Sequence, residues 1–247
     1  MYNFDAKKVK DDIINWIKDW FKDNGYGCRA IVGISGGIDS STVAALCVEA
    51  LGKENVFGVL MPNGEQQDIN EARQLVEFLD IDFTEIDILE SVSNIIKEML
   101  LDGIGVSEQT IINLPPRIRM ATLYAVSQSV RGRVANTSNL SESWVGYDTR
   151  YGDSVGDFSP LFNLTKTETR LIAKELGLPE ELVNKTPADG LCGLTDEDRF
   201  GFTYEVLDRY IRTGICEDDA TRVKIDAMHN KNLFKLEPMS RFSYSNL

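Results

Sequence analysis

Residues 33–41 read Gly33-Ile34-Ser35-Gly36-Gly37-Ile38-Asp39-Ser40-Ser41 and lie between a short apolar run and a helical pattern. A glycine-rich turn at this position presents backbone N–H groups and the positive end of the helix dipole to an anion. The paired glycines let a ligand approach the backbone closely, and the serines add hydroxyl donors. No Gly-Lys-Ser/Thr follows and the spacing is not G-x-G-x-x-G, so neither a Walker A loop nor a dinucleotide-binding Rossmann turn is indicated. An ordinary strand-to-helix turn is the alternative interpretation.

Strand and helix patterns alternate around this loop. The predicted strands cover residues 29–34, 55–61, 83–88 and 133–136, and the predicted helices cover residues 40–51, 69–79, 91–101, 117–130, 166–176 and 204–212. This alternation predicts an α/β fold, with a parallel sheet, helices on both faces and ligands at the carboxyl ends of the strands. Regular periodicity fails over residues 138–160, yet aromatic residues persist there, which predicts a structured functional loop.

The first 24 residues carry an amphipathic helical pattern whose apolar stripe includes Trp16 and Trp20. The opposite face has charges of both signs, which argues against a membrane anchor. The stripe is expected to dock on the core of the chain itself or on a second subunit.

Composition excludes several classes of function. The 247 residues carry a net charge of −13, which repels nucleic-acid backbones and anionic membranes. No stretch approaches the roughly 20 apolar residues of a membrane-spanning helix. The first residues have no apolar h-region or cleavage site, so we expect no export signal. The four cysteines are widely scattered, which is typical of reduced thiols in a cytoplasmic protein.

Several further segments match a known family in order and spacing. The loop at 33–41 resembles the S-G-G-x-D-S loop of the ATP pyrophosphatase superfamily. The other matching segments are PNGEQQD at 62–68, NLPPRIRM at 113–120, NTSNLSE at 136–142, GYDTRYGD at 146–153 and LTK at 164–166. Together they resemble the NAD synthetases from about residue 33 to residue 210.

The resemblance implies an adenine-nucleotide-hydrolase-like (Rossmann-like) ATP pyrophosphatase fold and a ligase that forms a C–N bond. Such enzymes amidate deamido-NAD with ammonia, using ATP and Mg²⁺, through an adenylated intermediate. The implied ATP contacts are Gly33, Ile34, Ser35, Gly36, Gly37, Ile38, Asp39, Ser40, Thr137, Lys166 and Thr186. The implied Mg²⁺ ligands are Asp39 and Glu142. The implied deamido-NAD contacts are Arg119, Arg117, Asn113, Arg150 and Asp157.

Lys166 can also be judged from its position alone. Thr165 and Glu168 form a capping-box pattern that places Lys166 in the first turn of a helix. A cation there opposes the helix dipole at a cost of roughly 0.3–1 kcal/mol. This cost indicates a role with an anion such as phosphate, and a solvated surface lysine is the alternative.

Three positions depart from the family pattern. Arg150 stands where many relatives have lysine, and a guanidinium is not an equivalent phosphate ligand. Ala188 stands where many have a hydroxyl residue, so an ATP contact is lost there or supplied by Thr186. Many relatives end in a His-Lys pair, whereas His229 is followed by asparagine and is expected to be a surface helix residue.

The family pattern starts at residue 33, so we expect a single synthetase domain over residues 1–247, without a glutaminase domain, and ammonia as the nitrogen donor. The resemblance also implies a homodimer. One alternative is a tRNA-thiolating ATP pyrophosphatase, disfavoured by the charge of −13 and by the absence of a cysteine pair. The other is a non-catalytic nucleotide sensor, disfavoured because binding alone does not require both Asp39 and Glu142.

Overall fold

A computed structural model of the protein describes residues 2–66, 68–185 and 195–243. Within those ranges, strands and helices follow one another along the chain. The strands are β1 (Arg29–Gly33), β2 (Val56–Leu60), β3 (Asp82–Glu85) and β4 (Gly132–Ala135). The helices are α1 (Ala6–Asn24), α2 (Ile38–Leu51), α3 (Ile69–Phe78), α4 (Leu89–Leu101), α5 (Glu108–Ser129), α6 (Leu140–Val145), α7 (Lys166–Glu175), α8 (Glu180–Val183), α9 (Asp196–Phe200), α10 (Tyr204–Thr213) and α11 (Asp219–Leu236).

The four strands form one parallel sheet in the order β3-β2-β1-β4. Val32 of β1 pairs with Gly58 of β2 on one side and with Ala135 of β4 on the other. Because the chain continues to opposite sides of β1, the carboxyl ends of β1 and β4 flank the topological switch point, where such sheets bind ligands. The predicted parallel α/β sheet is confirmed.

Both faces of the sheet are covered by helices. Successive side chains of β1 point to opposite faces, so Ala30 and Val32 join the core beneath α2, α3 and α7, whereas Ile31 joins the core beneath α4 and α5. Helix α2 is buried along most of its length because it lies between the sheet and helices α1 and α7. A smaller apolar cluster links α6, α9, α10 and α11.

The amphipathic stripe of α1 packs on the core of the chain itself. Ile17 and Phe21 are buried, and the Trp20 ring stacks on Phe158 with 4.9 Å between ring centroids. Trp16 remains 44% exposed. The stripe therefore packs against the core, and Trp16 lies at its exposed edge.

Among the described residues, the helices include several that were not predicted, namely α6, α8, α9 and α11, and α6 lies within the segment 138–160 that was predicted to be a loop. Helix α5 begins at Glu108 rather than Arg117, with Ser107 accepting a hydrogen bond from the Thr110 N–H and with Pro115 and Pro116 inside the helix. Proline lacks the N–H donor of a helical hydrogen bond, so the two prolines predict that no helix continues through them. In the structure the helix nevertheless runs through both residues. Helix α11 was not predicted, since it is barely amphipathic and Ile225 is its one buried residue among those described. No described helix combines the length and the apolar character needed to cross a membrane.

Candidate active site

The glycine-rich loop has a backbone that requires glycine. Gly36 has a φ of +79°, and a Cβ there would lie 2.5 Å from the Asp68 carbonyl oxygen, at the start of α3. Gly37 is the N-cap of α2 and offers no side chain to the first helical N–H groups. Those N–H groups are left for a ligand, which suits an anion site.

The serine hydroxyls of the loop hold one another in place. The Oγ atoms of Ser35 and Ser40 lie 3.1 Å apart, and Ser35 Oγ also accepts the Gly37 N–H at 3.2 Å. Ser41 Oγ donates to the Gly37 carbonyl oxygen at 2.7 Å. The loop is therefore organised by its own side chains before any ligand arrives.

Three charged side chains meet beside this loop. Lys166 Nζ lies 2.6 Å from Asp39 Oδ2 and 2.9 Å from Glu142 Oε1. The three residues come from α2, α6 and α7, and the Lys166 side chain is only 3% exposed. Lys166 is thus buried between two carboxylates, which contradicts the solvated-lysine alternative.

Burial and charge act against each other in this cluster. Burial raises the pKa of the Glu142 carboxyl, and Lys166 partly reverses the rise. Burial disfavours the Lys166 ammonium, but Asp39 and Glu142 outweigh that effect and hold its pKa above the ordinary value. The ammonium is therefore the form that the site holds.

Asn139 links the two carboxylate residues. Its Nδ2 donates to Asp39 Oδ1 at 3.1 Å, while its Oδ1 accepts the Glu142 N–H at 3.0 Å as the N-cap of α6. Asn139 lies in the family-like segment 136–142, yet the resemblance gives it no role. Its signal is the spacing, because an asparagine three residues before a glutamate is a helix N-terminal pattern.

The carboxylates of Asp39 and Glu142 fit a magnesium ion. Mg²⁺ is commonly bound by one or two carboxylates together with substrate phosphates. The bridging Lys166 ammonium shows that a cation can lie between the two side chains. Among the described residues, no group of three or more His, Cys, Asp or Glu side chains could hold a metal alone. A magnesium ion here would therefore take further ligands from ATP.

Two more ATP-contact predictions concern Thr137 and Thr186. Thr137 follows β4 and is half-buried at the switch point. Thr186 and the departure at Ala188 lie outside the described residues. The neighbouring Lys185, which sequence reasoning missed, forms an ion pair with Asp68 at 2.7 Å and approaches the Gly36 carbonyl oxygen.

Three of the five predicted deamido-NAD contacts, Asn113, Arg117 and Arg150, lie together where α5 meets the 146–153 loop. Arg117 Nε donates to the Arg150 carbonyl oxygen at 3.4 Å, and Asn113 Oδ1 accepts from Thr149 Oγ1 at 3.0 Å. Arg119 points elsewhere, as its position two residues from Arg117 predicts, and its Nε donates to the Met61 carbonyl oxygen just after β2. Burial lowers the pKa of Arg119, which nevertheless remains a cation.

Arg150 and Asp157 have protein partners in this conformation. The Arg150 guanidinium lies over the rings of Tyr151 and Phe234, at 5.1 and 5.3 Å from their centroids. The Asp157 carboxylate accepts the Val134 N–H at 2.7 Å and the Tyr124 hydroxyl at 3.3 Å. Their roles in substrate binding stay predictions.

Helix α11 fastens the start of the 146–153 loop. Lys235 Nζ donates to the carbonyl oxygens of Gly146 and Asp148 at 2.6 and 2.7 Å. His229 stacks on Trp144 with 3.9 Å between ring centroids and lies 2.9 Å from the Trp144 carbonyl oxygen through its Nδ1. His229 lies on a helix, as predicted, but it is half-buried because it packs against α6.

A glycine-rich loop at the switch point of a parallel sheet, with paired carboxylates beside it, defines an ATP pyrophosphatase of the PP-loop type. Residues 9–245 match the family model for NAD synthase. The chain belongs to the NAD synthase family.

Individual relatives agree with this family. The chain is 42% identical over 206 residues to the NH(3)-dependent NAD(+) synthetase of Finegoldia magna, covering 83% of each protein. The solved structure of an NMN synthetase from Francisella tularensis matches with a TM-score of 0.89 at 30% identity, covering 98% of this chain and 100% of that one. An NH3-dependent NAD synthetase from Campylobacter jejuni has the same identity and coverage and a TM-score of 0.79.

Proposed function

We propose that this chain is an ammonia-dependent NAD synthetase, which uses ATP to convert the nicotinate carboxylate of deamido-NAD into the amide of NAD. One observation carries the proposal. The Lys166 ammonium lies buried between Asp39 and Glu142 at the start of the PP-loop helix, in a chain of the NAD synthase family.

In the first step, a carboxylate oxygen of deamido-NAD attacks the α-phosphorus of ATP. The bond from this phosphorus to the oxygen bridging to the β-phosphate breaks, and pyrophosphate leaves. The N–H groups of the 33–40 loop bind the phosphates and the leaving pyrophosphate. Asp39 and Glu142 would hold Mg²⁺, which would neutralise charge on the phosphates. Lys166 adds a positive charge where negative charge accumulates.

In the second step, ammonia attacks the activated acyl carbon. The bond from that carbon to the AMP oxygen breaks, AMP leaves with the electron pair, and the nitrogen loses a proton to give the amide. Deamido-NAD is held by residues of α5 and of the segment 150–157, namely Asn113, Arg117, Arg119, Arg150 and Asp157. The contacts of Arg117 with Arg150 and of Asn113 with Thr149 support this grouping.

Pyrophosphate release in the presence of deamido-NAD, ATP, Mg²⁺ and ammonium tests the proposal. Asp39→Asn and Glu142→Gln should each lower kcat by about 10², because electrostatic stabilisation of this kind contributes about 3 kcal/mol. Asp12→Asn on the exposed side of α1 is the matched control and should leave kcat unchanged. Full activity in both site variants at saturating Mg²⁺ would contradict the assignment of the metal ligands.

The nitrogen donor is tested separately with ammonium and glutamine. The sequence has one histidine, His229, and the structure places it against Trp144 rather than beside a described cysteine that it could activate. Ammonium should therefore support amide formation and glutamine should not. Equal rates of NAD formation from the two donors would refute the proposal of a single synthetase module.

An NMN synthetase is the second candidate. The observation that favours it is the TM-score of 0.89 to the Francisella tularensis enzyme, against 0.79 for the Campylobacter jejuni NAD synthetase at equal identity. The curated relative at 42% identity favours NAD synthetase. The ratio of kcat/KM for deamido-NAD to that for nicotinate mononucleotide decides between them, and a ratio above 1 supports NAD synthetase.

We also infer a homodimer and a cytoplasmic location. Apolar side chains of α4, α5 and their connection are 53–69% exposed and offer a face for a second copy; they are Leu100, Leu101, Ile104 and Ile111. Leu101→Lys should shift the mass measured by light scattering toward that of a monomer. The described cysteines, Cys28, Cys47 and Cys216, are free thiols, as suits a reducing compartment.

A further inference from the structure

Asp208 of α10 contacts the two helices that carry Glu142 and Lys166. Its Oδ1 accepts the hydroxyl of Ser141, the residue next to Glu142 in α6. Its Oδ2 accepts the Thr167 N–H at 2.8 Å, in the first turn of α7. Ser141 Oγ in turn accepts the Lys166 N–H at 2.9 Å. The Asp208 carboxylate and the Ser141 hydroxyl therefore connect the backbone of α7 at Lys166 and Thr167 with α6 beside Glu142.

These contacts satisfy N–H groups that an α-helix leaves without intrahelical partners. The first three N–H groups of α7, those of Lys166, Thr167 and Glu168, donate to Ser141, Asp208 and Thr165 respectively. Two of these three acceptors come from other helices, Ser141 from α6 and Asp208 from α10. The start of α7 is therefore held in place by α6 and α10.

Burial makes this link rigid. Asp208 is 4% exposed and Ser141 is fully buried. A buried polar group that loses its hydrogen bond is costly. Moving α6 or α7 away from Asp208 would break such bonds, so the start of α7 is held close to α6. The negative charge of Asp208 near the start of α7 also offsets the unfavourable position of the Lys166 cation there.

We propose that Asp208 and Ser141 are positioning residues, which set the distance between Glu142 and Lys166 and thereby the geometry with which Asp39 and Glu142 accept Mg²⁺ together with ATP. Neither residue touches the reacting atoms. The inference rests on the proposed function, because it takes Asp39 and Glu142 as the magnesium ligands. Side chains that orient metal ligands typically affect metal affinity by about 10- to 100-fold.

The test uses Asp208→Asn and Ser141→Ala in the full chain. Asp208→Asn keeps the shape of the side chain and removes its charge, whereas Ser141→Ala deletes one oxygen. Asp226→Asn is the matched control, because Asp226 accepts the Tyr210 hydroxyl of the same α10 helix at 2.7 Å, away from the cluster. Mn²⁺ binding in the presence of ATP is followed by electron paramagnetic resonance, and the Mg²⁺ concentration for half-maximal pyrophosphate release is measured alongside.

We expect Asp208→Asn and Ser141→Ala to weaken Mn²⁺ binding by about 10-fold and to raise the half-maximal Mg²⁺ concentration similarly. The KM for deamido-NAD should be unchanged, as should Mn²⁺ binding in Asp226→Asn. A merely structural role would lower Tm in all three variants without moving the metal dependence. If one variant fails to fold, the other decides.

Two results would overturn the inference, and only the second would also contradict the magnesium assignment in the proposed function. If Asp39→Asn and Glu142→Gln weaken Mn²⁺ binding while the folded Asp208 and Ser141 variants bind Mn²⁺ like the wild type, the positioning role is wrong and the proposed function stands. If Asp39→Asn and Glu142→Gln leave Mn²⁺ binding unchanged, the magnesium assignment in the proposed function is wrong and the positioning role is refuted with it.

Discussion

Replacing Lys166 by methionine separates the electrostatic contribution of its ammonium from that of its packing. Methionine keeps an unbranched, largely apolar side chain of similar length, so the buried volume changes little. The substitution removes the cation that lies 2.6 and 2.9 Å from Asp39 and Glu142. Two carboxylates then face each other without their common partner.

The expected loss of stability follows from the burial of the pair. Removing one member of a buried ion pair costs about 3–5 kcal/mol, because the remaining charge is left without compensation. The side chains of Asp39 and Glu142 are 16% and 18% exposed, so water compensates in part and we expect about 3 kcal/mol. For a chain of 247 residues this corresponds to a decrease in Tm of about 6–12 °C.

Urea and thermal unfolding without Mg²⁺ or ATP measure this loss. Adding Asp39→Asn and Glu142→Gln to Lys166→Met should recover most of it, because the amides remove the uncompensated charges that Lys166→Met leaves buried. Lys8→Met removes an exposed pair with Asp12 and should leave Tm unchanged. The reasoning fails if Lys166→Met is as stable as the wild type, or if the triple variant is no more stable than Lys166→Met alone.

Three further predictions concern other parts of the chain. Gly146→Ala should lower the free energy of unfolding in urea by about 2–4 kcal/mol, because φ is +69° and the new Cβ would meet the Asn232 side chain. Gly177→Ala has the same φ but open space around it and should cost about 1–2 kcal/mol, so equal losses would contradict the steric argument. Burial raises the pKa of the Cys47 thiol to about 12, so iodoacetamide at pH 8 should label Cys47 only after unfolding. Mass spectrometry of the Cys47 peptide measures this labelling, and rapid labelling of the native protein would refute the prediction. Arg150→Ala should raise the KM for deamido-NAD far more than that for ATP, while Arg150→Lys should be tolerated with a modest rise; equal effects of Arg150→Ala on both substrates would exclude the substrate role.

The strand, loop and helix at the centre of the site could be predicted because their signals are local. Paired glycines between a β-rich run and a helical pattern have few structural solutions, and the φ of +79° at Gly36 shows the requirement directly. Helix boundaries were less predictable where local signals conflict. Pro115 and Pro116 indicate a break, yet packing of α5 on the sheet keeps the helix continuous.

The contacts between distant segments could not be predicted from residue patterns alone. Asn139 and Asp39 are 100 residues apart in the chain, and Lys166 and Asp39 are 127 apart. Periodicity gives the face of a helix but not the neighbour it meets. The resemblance supplied Asp39 and Lys166 but not Asn139, and the fold supplied the geometry of all three. Neither the residue pattern nor the resemblance pointed to Asp208, because it lies in an ordinary amphipathic helix, α10, outside the segments that match the family.

The three charged residues of the cluster have one feature in common, which is that each lies in the first turn of a helix. This position favours the carboxylates of Asp39 and Glu142 and disfavours the ammonium of Lys166. The two short contacts of Lys166 therefore compensate for an unfavourable location, and they leave the cluster with a net negative charge when all three groups are ionised. A triphosphate cannot approach such a cluster unless positive charge accompanies it. Binding of ATP together with Mg²⁺ would meet that requirement, since Asp39 and Glu142 would hold the metal and the Lys166 ammonium would be available to the phosphates.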